Sequence, residues 1–541
     1  MIRGRCAAAA LVFACFAAVA LWRSPVPGVN EPQYLCKAKH FYAPEWCSRD
    51  MFLNSANAHW VFYVLAGAVT RIASLDQTAW IGRILVWAGL AHAWVRLTKL
   101  LLPGKFSPVW AACLFLALQS AGNLSGEWLI GGVEAKGFAY IALLLAIVAA
   151  CERSYRLAAV EVGLAISFHP VVGIWGALAL MAAVAGRFVG LLFTERLDWS
   201  SLPPVRGAIE GGPIRIVDVP KDAGERRTVT LSRLFRSLSI PALLCLVFAL
   251  PGLIPAIAMI ASAPSQGAAH RADIIQVFDR LDHHLDPADF SKASYVMYAV
   301  LLAIWLAMSV AGDSTAAQRF FTRFVLATLA ITLAGLVAGF GLRDPWLMKF
   351  YPFRLFDLFL PIAVSTSAIG LLERVGTATA SAGRAVQRML AAMAGPGLAI
   401  VALGAAVLAP GAYPNPSNMQ YQQNWLAFVD ACRWIEKSTP RDALFLTLRM
   451  NVGFKWYAQR AEYVTWKDCP QDASGILEWK DRLDLIVEWR TAYADDGFTE
   501  EEFAALAEKT GIEYALAWNT EPWHIEPVYR NRAFSVYRLA K

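Results

Sequence analysis

Residues able to do chemistry sit in a few short polar stretches set between long apolar ones. Residues 30–52, NEPQYLCKAKHFYAPEWCSRDMF, carry the carboxylates Glu31, Glu45 and Asp50 together with Tyr34, Trp46, Cys36 and Cys47. GEWLIGGVEAKGFAY adds Glu127, Glu134 and Lys136, and ISFHPVVG adds His169. VFDRLDHHLDP supplies Arg280, His283 and His284, and LMKFYPFR supplies Lys349 and Arg354. A carboxylate can deprotonate or orient a hydroxyl. Arginine binds phosphate through its planar fork, and two histidines beside an arginine also suit a phosphate. Each residue has a plainer role to set against this. Glu134 and Lys136 can snorkel at the start of a span. His169-Pro170 can simply end one helix and turn the chain, and Asp357 can pair with Arg354 one helical turn away.

The elements that position these residues are membrane spans. Of 541 residues, 57% are hydrophobic and only 17% charged, with a mean hydropathy of +0.44. Apolar runs recur at lengths suited to crossing a bilayer, so the chain reads as a polytopic α-helical membrane protein. Its net charge of +7 gives no reason to expect nucleic-acid binding, because the basic excess lies in short loops between apolar runs.

Arg3 and Arg5 precede an apolar stretch from Cys6 to Trp22. It reads as an uncleaved first span because many more follow, although Ala18-Val19-Ala20 would serve as a cleavage site. Further spans are expected near 78–98, 107–122, 135–151, 157–169, 171–187, 239–262, 292–312, 323–342, 354–373 and 390–409, about eleven in all. Ala58–Ser74 is expected to lie along the outer interface. The N-terminus then faces inward and the C-terminus outward. Arg96, Lys99, Lys105, Arg153, Arg156, Arg319, Arg323, Arg374, Arg384 and Arg388 all fall at inner loops or their edges. A crossing at Ala58–Ser74 would invert every later loop and break that bias. In this threading the polar stretches share the outer side, and ionisable groups at the hydrocarbon edge mark a pathway or a site.

Residues 188–238 form a charged, Pro- and Gly-rich insertion placed inside. From about 411 the composition changes to that of a small α/β domain placed outside the membrane. Helices are expected in NWLAFVDACRWIEKSTP, ILEWKDRLDLIVEW and TEEEFAALAEKTG, strands in DALFLTL, EYVTW and IEYALAW, and a hairpin turning near Asn531 in VYRNRAFSVYRL. Four of the nine cysteines, Cys36, Cys47, Cys432 and Cys469, lie in outer polar segments, and Cys36–Cys47 is the local choice of disulfide. No ligand spacing indicates zinc.

The order of features resembles the GT-C class of membrane glycosyltransferases, the protein mannosyltransferase-like and aminoarabinose transferase-like enzymes. That class carries an acidic pair just beyond its first span, often with a Tyr three residues after the Glu. Asn30-Glu31-Pro32-Gln33-Tyr34 occupies that place, with Asn30 where the first acid usually stands. Ala58–Ser74 resembles the class's interfacial helix, Ile81–Leu97 its second span, and the C-terminal domain the attached extracytoplasmic domains. TPRDALFLT, QRAEYVTWKDCP and VYRNRAFSVYRL also look like a bacterial family of GT-C-like membrane proteins of no established activity. The resemblance implies a bacterial inner-membrane enzyme moving a sugar from a polyprenyl-phosphate donor to an extracytoplasmic acceptor, with a divalent metal as an optional cofactor. Glu31, then Asp50, would act as base. Arg280, His283, His284, Lys349 and Arg354 would bind the donor phosphate. Tyr34, Glu134, Lys136 and His169 would contact substrate, with Lys455 and Arg460 reaching down from the C-terminal domain. A non-catalytic scaffold of the same fold and a flippase for lipid-linked saccharides are the alternatives.

Overall fold

A computed structural model describes residues 2–193, 223–310, 314–381, 385–408, 424–449, 452–493 and 496–539. Most of the 188–238 insertion, Arg384 and the 409–423 connection lie outside the described residues. The chain opens with helix α1 (Ile2–Arg23), followed by α2 (Glu31–Tyr42), α3 (Met51–Asn54) and α4 (Trp60–Thr70). Next come α5 (Leu75–Leu101), α6 (Ser107–Ala121), α7 (Ala135–Cys151), α8 (Tyr155–Phe168), α9 (Pro170–Phe193) and α10 (Ala223–Ala261). Three short helices, α11 (Gln266–Ile274), α12 (Asp282–Leu285) and α15 (Pro345–Met348), interleave with α13 (Lys292–Val310) and α14 (Ala316–Leu336). The long α16 (Arg354–Ser381) and α17 (Ala385–Leu408) complete the helical body. Two π-helical turns, Ile275–Arg280 and Val337–Leu342, extend α11 and α14.

Among the described residues, seven helices are long and apolar enough to cross a membrane: Cys6–Arg23, Leu75–Leu101, Pro170–Arg187, Ser239–Ala261, Lys292–Val310, Ala316–Leu342 and Arg354–Val375. The expected span at 157–169 (α8) is not among them, the one at 390–409 contributes the shorter apolar stretch Gly395–Leu408, and those at α6 and α7 are apolar but shorter. At about 1.5 Å per residue α6 and α7 fall short of a hydrocarbon core about 30 Å thick. Both are largely buried, and α7 is walled in by protein along nearly its whole length. Local chemistry sets the breaks. Ser74 caps α5 and Thr315 caps α14, each through a reciprocal capping box with a glutamine. The residue before a proline is disfavoured in helical conformation, so His169 is extended (φ −148, ψ 94) and separates α8 from α9.

The C-terminal part contains α18 (Trp425–Ser438), β1 (Leu444–Leu446), α19 (Phe454–Ala458), β2 (Ala461–Glu462), α20 (Ala473–Ala492), α21 (Glu500–Thr510), β3 (Tyr514–Trp518), β4 (Tyr529–Arg530) and β5 (Phe534–Arg538). One five-stranded sheet, ordered β2-β1-β3-β5-β4, joins β1 in parallel to β2 and β3, while β5 runs antiparallel to β3 and β4. EYVTW contributes only its first residue to a strand, because the chain leaves the sheet after Glu462. The turn expected near Asn531 is closed by its amide on the Phe534 carbonyl.

This domain is fastened to the first loop of the helical body by a buried charge cluster. The Lys455 ammonium meets Asp50 at 3.1 Å, Glu462 at 2.8 Å, and Asp468. Asp50 also caps α3 by accepting the Leu53 amide, and it accepts the Glu462 amide at 3.1 Å. Burial pushes Glu462 up to about 7, with Lys455 offsetting only part of the shift. A carboxyl raised in the folded state contributes its full stability below its ordinary range and loses it as pH rises through the raised value. The thermal midpoint in detergent is therefore expected to fall between about pH 5 and 7.5. The variant E462Q should flatten that slope; an unchanged slope would locate the titration elsewhere.

Candidate functional site

The segment 122–134 between α6 and α7 is shaped by two buried carboxylates on different helices. Asp357, in the first turn of α16, accepts the amides of Leu124 (2.6 Å), Ser125 (2.9 Å) and Glu127 (3.0 Å) as well as the Ser125 hydroxyl. Glu31, the first residue of α2, holds the other end by accepting the Val133 amide at 2.8 Å. It also accepts the Gly28 amide and a bidentate pair from Arg83 of α5, Nε at 2.6 Å and Nη2 at 2.7 Å. Both members of this ion pair are fully buried. Between the clamps, the Gln119 side chain accepts the Leu129 amide and the Trp87 indole donates to the Gly131 carbonyl. His284 Nδ1 lies 2.6 Å from the Ser125 carbonyl, so that nitrogen carries the proton. Gly126 is at φ +78 with His284 against it, where a Cβ would stand 2.2 Å from the ring. A Cβ on Gly132 would stand 2.8 Å from the Glu31 carboxyl. Both close approaches require glycine.

The clamped segment presents Glu127 and Glu134 to a polar cluster drawn from α2, α7 and α16 and from His59 and His169, the residues directly before α4 and α9. Arg354 Nε meets Glu127 Oε2 at 2.8 Å, and its Nη1 lies 3.3 Å from His169 Nε2. The guanidinium also covers the Tyr351 ring. His169 packs on His59 with ring centroids 4.7 Å apart, and Tyr34 Oη stands 3.5 Å from His59 Nε2. Burial, with Arg354 close by, pushes His59 down to about 3, so its ring is neutral. Lys136 Nζ sits 3.6 Å from both Glu127 and Glu134 and 3.9 Å above the Trp128 ring. Asn30 donates to Glu134 at 3.1 Å. Tyr140 stands next to Glu127, and Glu127 Oε1 faces the Tyr140 hydroxyl and Lys136 Nζ without a close hydrogen bond to either. The C-terminal domain closes over the cluster: the Lys467 carbonyl accepts from Gln33 and from Arg280. Burial, reinforced by Arg280, lowers the Lys467 ammonium to about 8.

The residues singled out in the sequence therefore divide. Tyr34, Glu134, Lys136, His169 and Arg354 come together in the cluster, with Arg280 and His284 at its edge. Glu31 is close by, but its two oxygens already accept four hydrogen bonds. Asp50 and Lys455 belong to the domain-docking cluster instead. Arg460 donates to the Glu436 and Thr439 carbonyls and closes the C-terminal end of α18. Lys349 is held by both oxygens of Asp273 at 2.8 Å, and His283 is exposed beside Asp282. Arg354 does not pair with Asp357, whose oxygens face backbone amides; its partner is Glu127. Cys36 and Cys47 form no bridge. Both are buried free thiols, and burial raises both, disfavouring the thiolate that disulfide exchange needs. Among the described residues no three His, Cys, Asp or Glu side chains converge to hold a metal ion.

Arg83, Glu127, His59 and Lys467 received no role from the sequence. The signal for Arg83 was available, since an arginine within an apolar span implies a buried partner. Glu127 was visible only as one member of the outer polar group.

Residues 427–486, which include Lys455, Glu462 and Asp468, match a family described as a domain of unknown function (DUF6798). No curated protein matches the chain.

Removing one partner of a buried ion pair leaves the other uncompensated. E31L is expected to destabilise the protein by about 3–5 kcal/mol, seen as a lowered thermal midpoint. The double variant E31L/R83M should recover only the part due to the unpaired Arg83, because the Gly28 and Val133 amides lose their acceptor in both variants. Full recovery in the double variant would show that those amide contacts add nothing to stability.

Proposed function

We propose that this chain is a GT-C-like glycosyltransferase of the bacterial inner membrane, with its C-terminal domain outside. It moves a sugar from a polyprenyl-phosphate donor to an extracytoplasmic acceptor with inversion. The observation that carries the proposal is an incompletely bonded carboxylate, Glu127, set between the cations Arg354 and Lys136 in a buried polar cluster. Buried polar atoms are nearly always bonded, and unbonded ones point to a role beyond packing. Inverting transfer needs a group to take the acceptor's proton and cations to compensate the leaving phosphate. Glu127 Oε1 makes no close hydrogen bond, with Lys136 Nζ 3.6 Å away, and is the oxygen that could take a proton from an acceptor hydroxyl. Arg354 and Lys136 are the nearest cations, with Arg280 and His284 at the edge. Glu31, enclosed by four donors, positions Val133 and the adjoining Glu134 rather than acting as base.

A non-catalytic scaffold is the second possibility. It is favoured by the complete engagement of Glu31 and Asp50, the two acids of the first loop, in structural contacts.

The test is sugar transfer by the purified protein from polyprenyl-phosphate donors, alongside profiles of lipid-linked sugars in cells lacking the protein. E127Q is expected to lower turnover by about 10²-fold or more, and to lower the thermal midpoint as well, because Arg354 and Lys136 lose a buried counter-charge. Full turnover in E127Q would remove Glu127 from the mechanism. Unchanged lipid-linked sugars and glycans in cells lacking the protein would favour the scaffold.

A further inference from the structure

A pocket of about 320 Å³ opens at the far end of the helical body from the polar cluster. Both sites touch α16. Asp357 and Arg354 lie in its first turn, whereas Thr366, Ser367, Gly370 and Arg374 of the same helix line the pocket. Thirteen residues separate Asp357 from Gly370, which at 1.5 Å per residue is about 20 Å. The other walls come from Leu101 at the end of α5, Trp305 and Ser309 near the end of α13, and the first two turns of α14 with Arg319, Thr322 and Arg323.

The lining has a one-sided chemistry. It carries three arginines and several hydroxyl-bearing side chains, and among the described residues no carboxylate lines it. Arg319 donates to the Ser314 carbonyl, and Arg323 is half-buried and makes no ion pair among the described residues. Clustered arginines without lining carboxylates repel one another and favour an anion between them. Their forked donors match the oxygens of a phosphate group. Leu101, Trp305, Met308 and Phe321 give the same pocket an apolar wall. A free inorganic anion would leave that wall unused.

We propose that this pocket binds a phosphate group carried on an amphiphile, with Arg319 and Arg323 as ligands and the Leu101–Trp305–Phe321 wall against its apolar part. The site is separate from the cluster around Glu127 and stands whether or not the chain transfers sugars.

The experiment is ligand-dependent thermal stability of the full chain purified in a neutral detergent, with three probes: phosphatidylglycerol, phosphatidylcholine and inorganic phosphate. Phosphatidylglycerol is expected to raise the midpoint saturably, and phosphatidylcholine to do so far less. In R323Q the phosphatidylglycerol concentration giving half the shift should rise roughly tenfold, the value of one lost charge-assisted hydrogen bond. R319Q provides the same comparison at an exposed position, should R323Q fold poorly. Inorganic phosphate should compete only weakly. A full shift with inorganic phosphate alone, reduced in both variants, would keep the anion site and overturn the amphiphile. Equal shifts with the two lipids, or responses in R319Q and R323Q indistinguishable from wild type, would overturn the site.

Discussion

The arrangement depends on buried carboxylates accepting backbone amides. Thirteen residues between α6 and α7 run through the protein as irregular chain, and their amides need acceptors where water is scarce. Asp357 supplies acceptors at one end of the segment and Glu31 at the other. Each carboxylate is itself anchored through its helix. The Tyr298 hydroxyl donates to the Asp357 carbonyl at 2.6 Å, and Arg83 grips Glu31 in two places. Without them the segment would have no reason to hold Glu127 and Glu134 against Arg354 and Lys136.

Helices, segment and sheet domain thus form a hierarchy. Apolar helices create a low-dielectric interior in which an ionisable side chain persists only if paired. The clamped segment brings acids into that interior, and α7 and α16 bring the matching cations. The sheet domain covers the cluster through the Lys467 carbonyl and is fastened at Lys455, so its docking and the cluster's enclosure are coupled. The matched family lies across this docking region, from within α18 to within α20.

Local features of this molecule were readable from its sequence and long-range pairings were not. Apolar length located the long helices α5 to α10, α13, α14, α16 and α17 but not the short α11, α12 and α15, and Pro170 marked the break at His169, because both signals are contained within a few residues. Lys136, His169 and Arg354 were recognisable as misplaced in an apolar chain, and they do meet. Who pairs with whom was a different matter. Arg83 and Glu31 stand 52 positions apart, and Asp357 reaches amides more than 200 positions away. The i, i+3 spacing of Arg354 and Asp357 suggested a local pair, yet the backbone amides took Asp357 and left Arg354 to Glu127. Cys36 and Cys47 were close in sequence, but the surrounding packing buries both as thiols.

The most direct test of this account is amide hydrogen exchange across residues 122–134 in wild type and in the variant D357N, using the full chain in detergent. An amide side chain in place of the carboxylate loses one acceptor oxygen and adds a donor facing other donors. The account predicts that exchange at Leu124, Ser125 and Glu127 accelerates by roughly tenfold or more, while α5 and α7 keep their protection. Equal protection of that segment in the two proteins would contradict it.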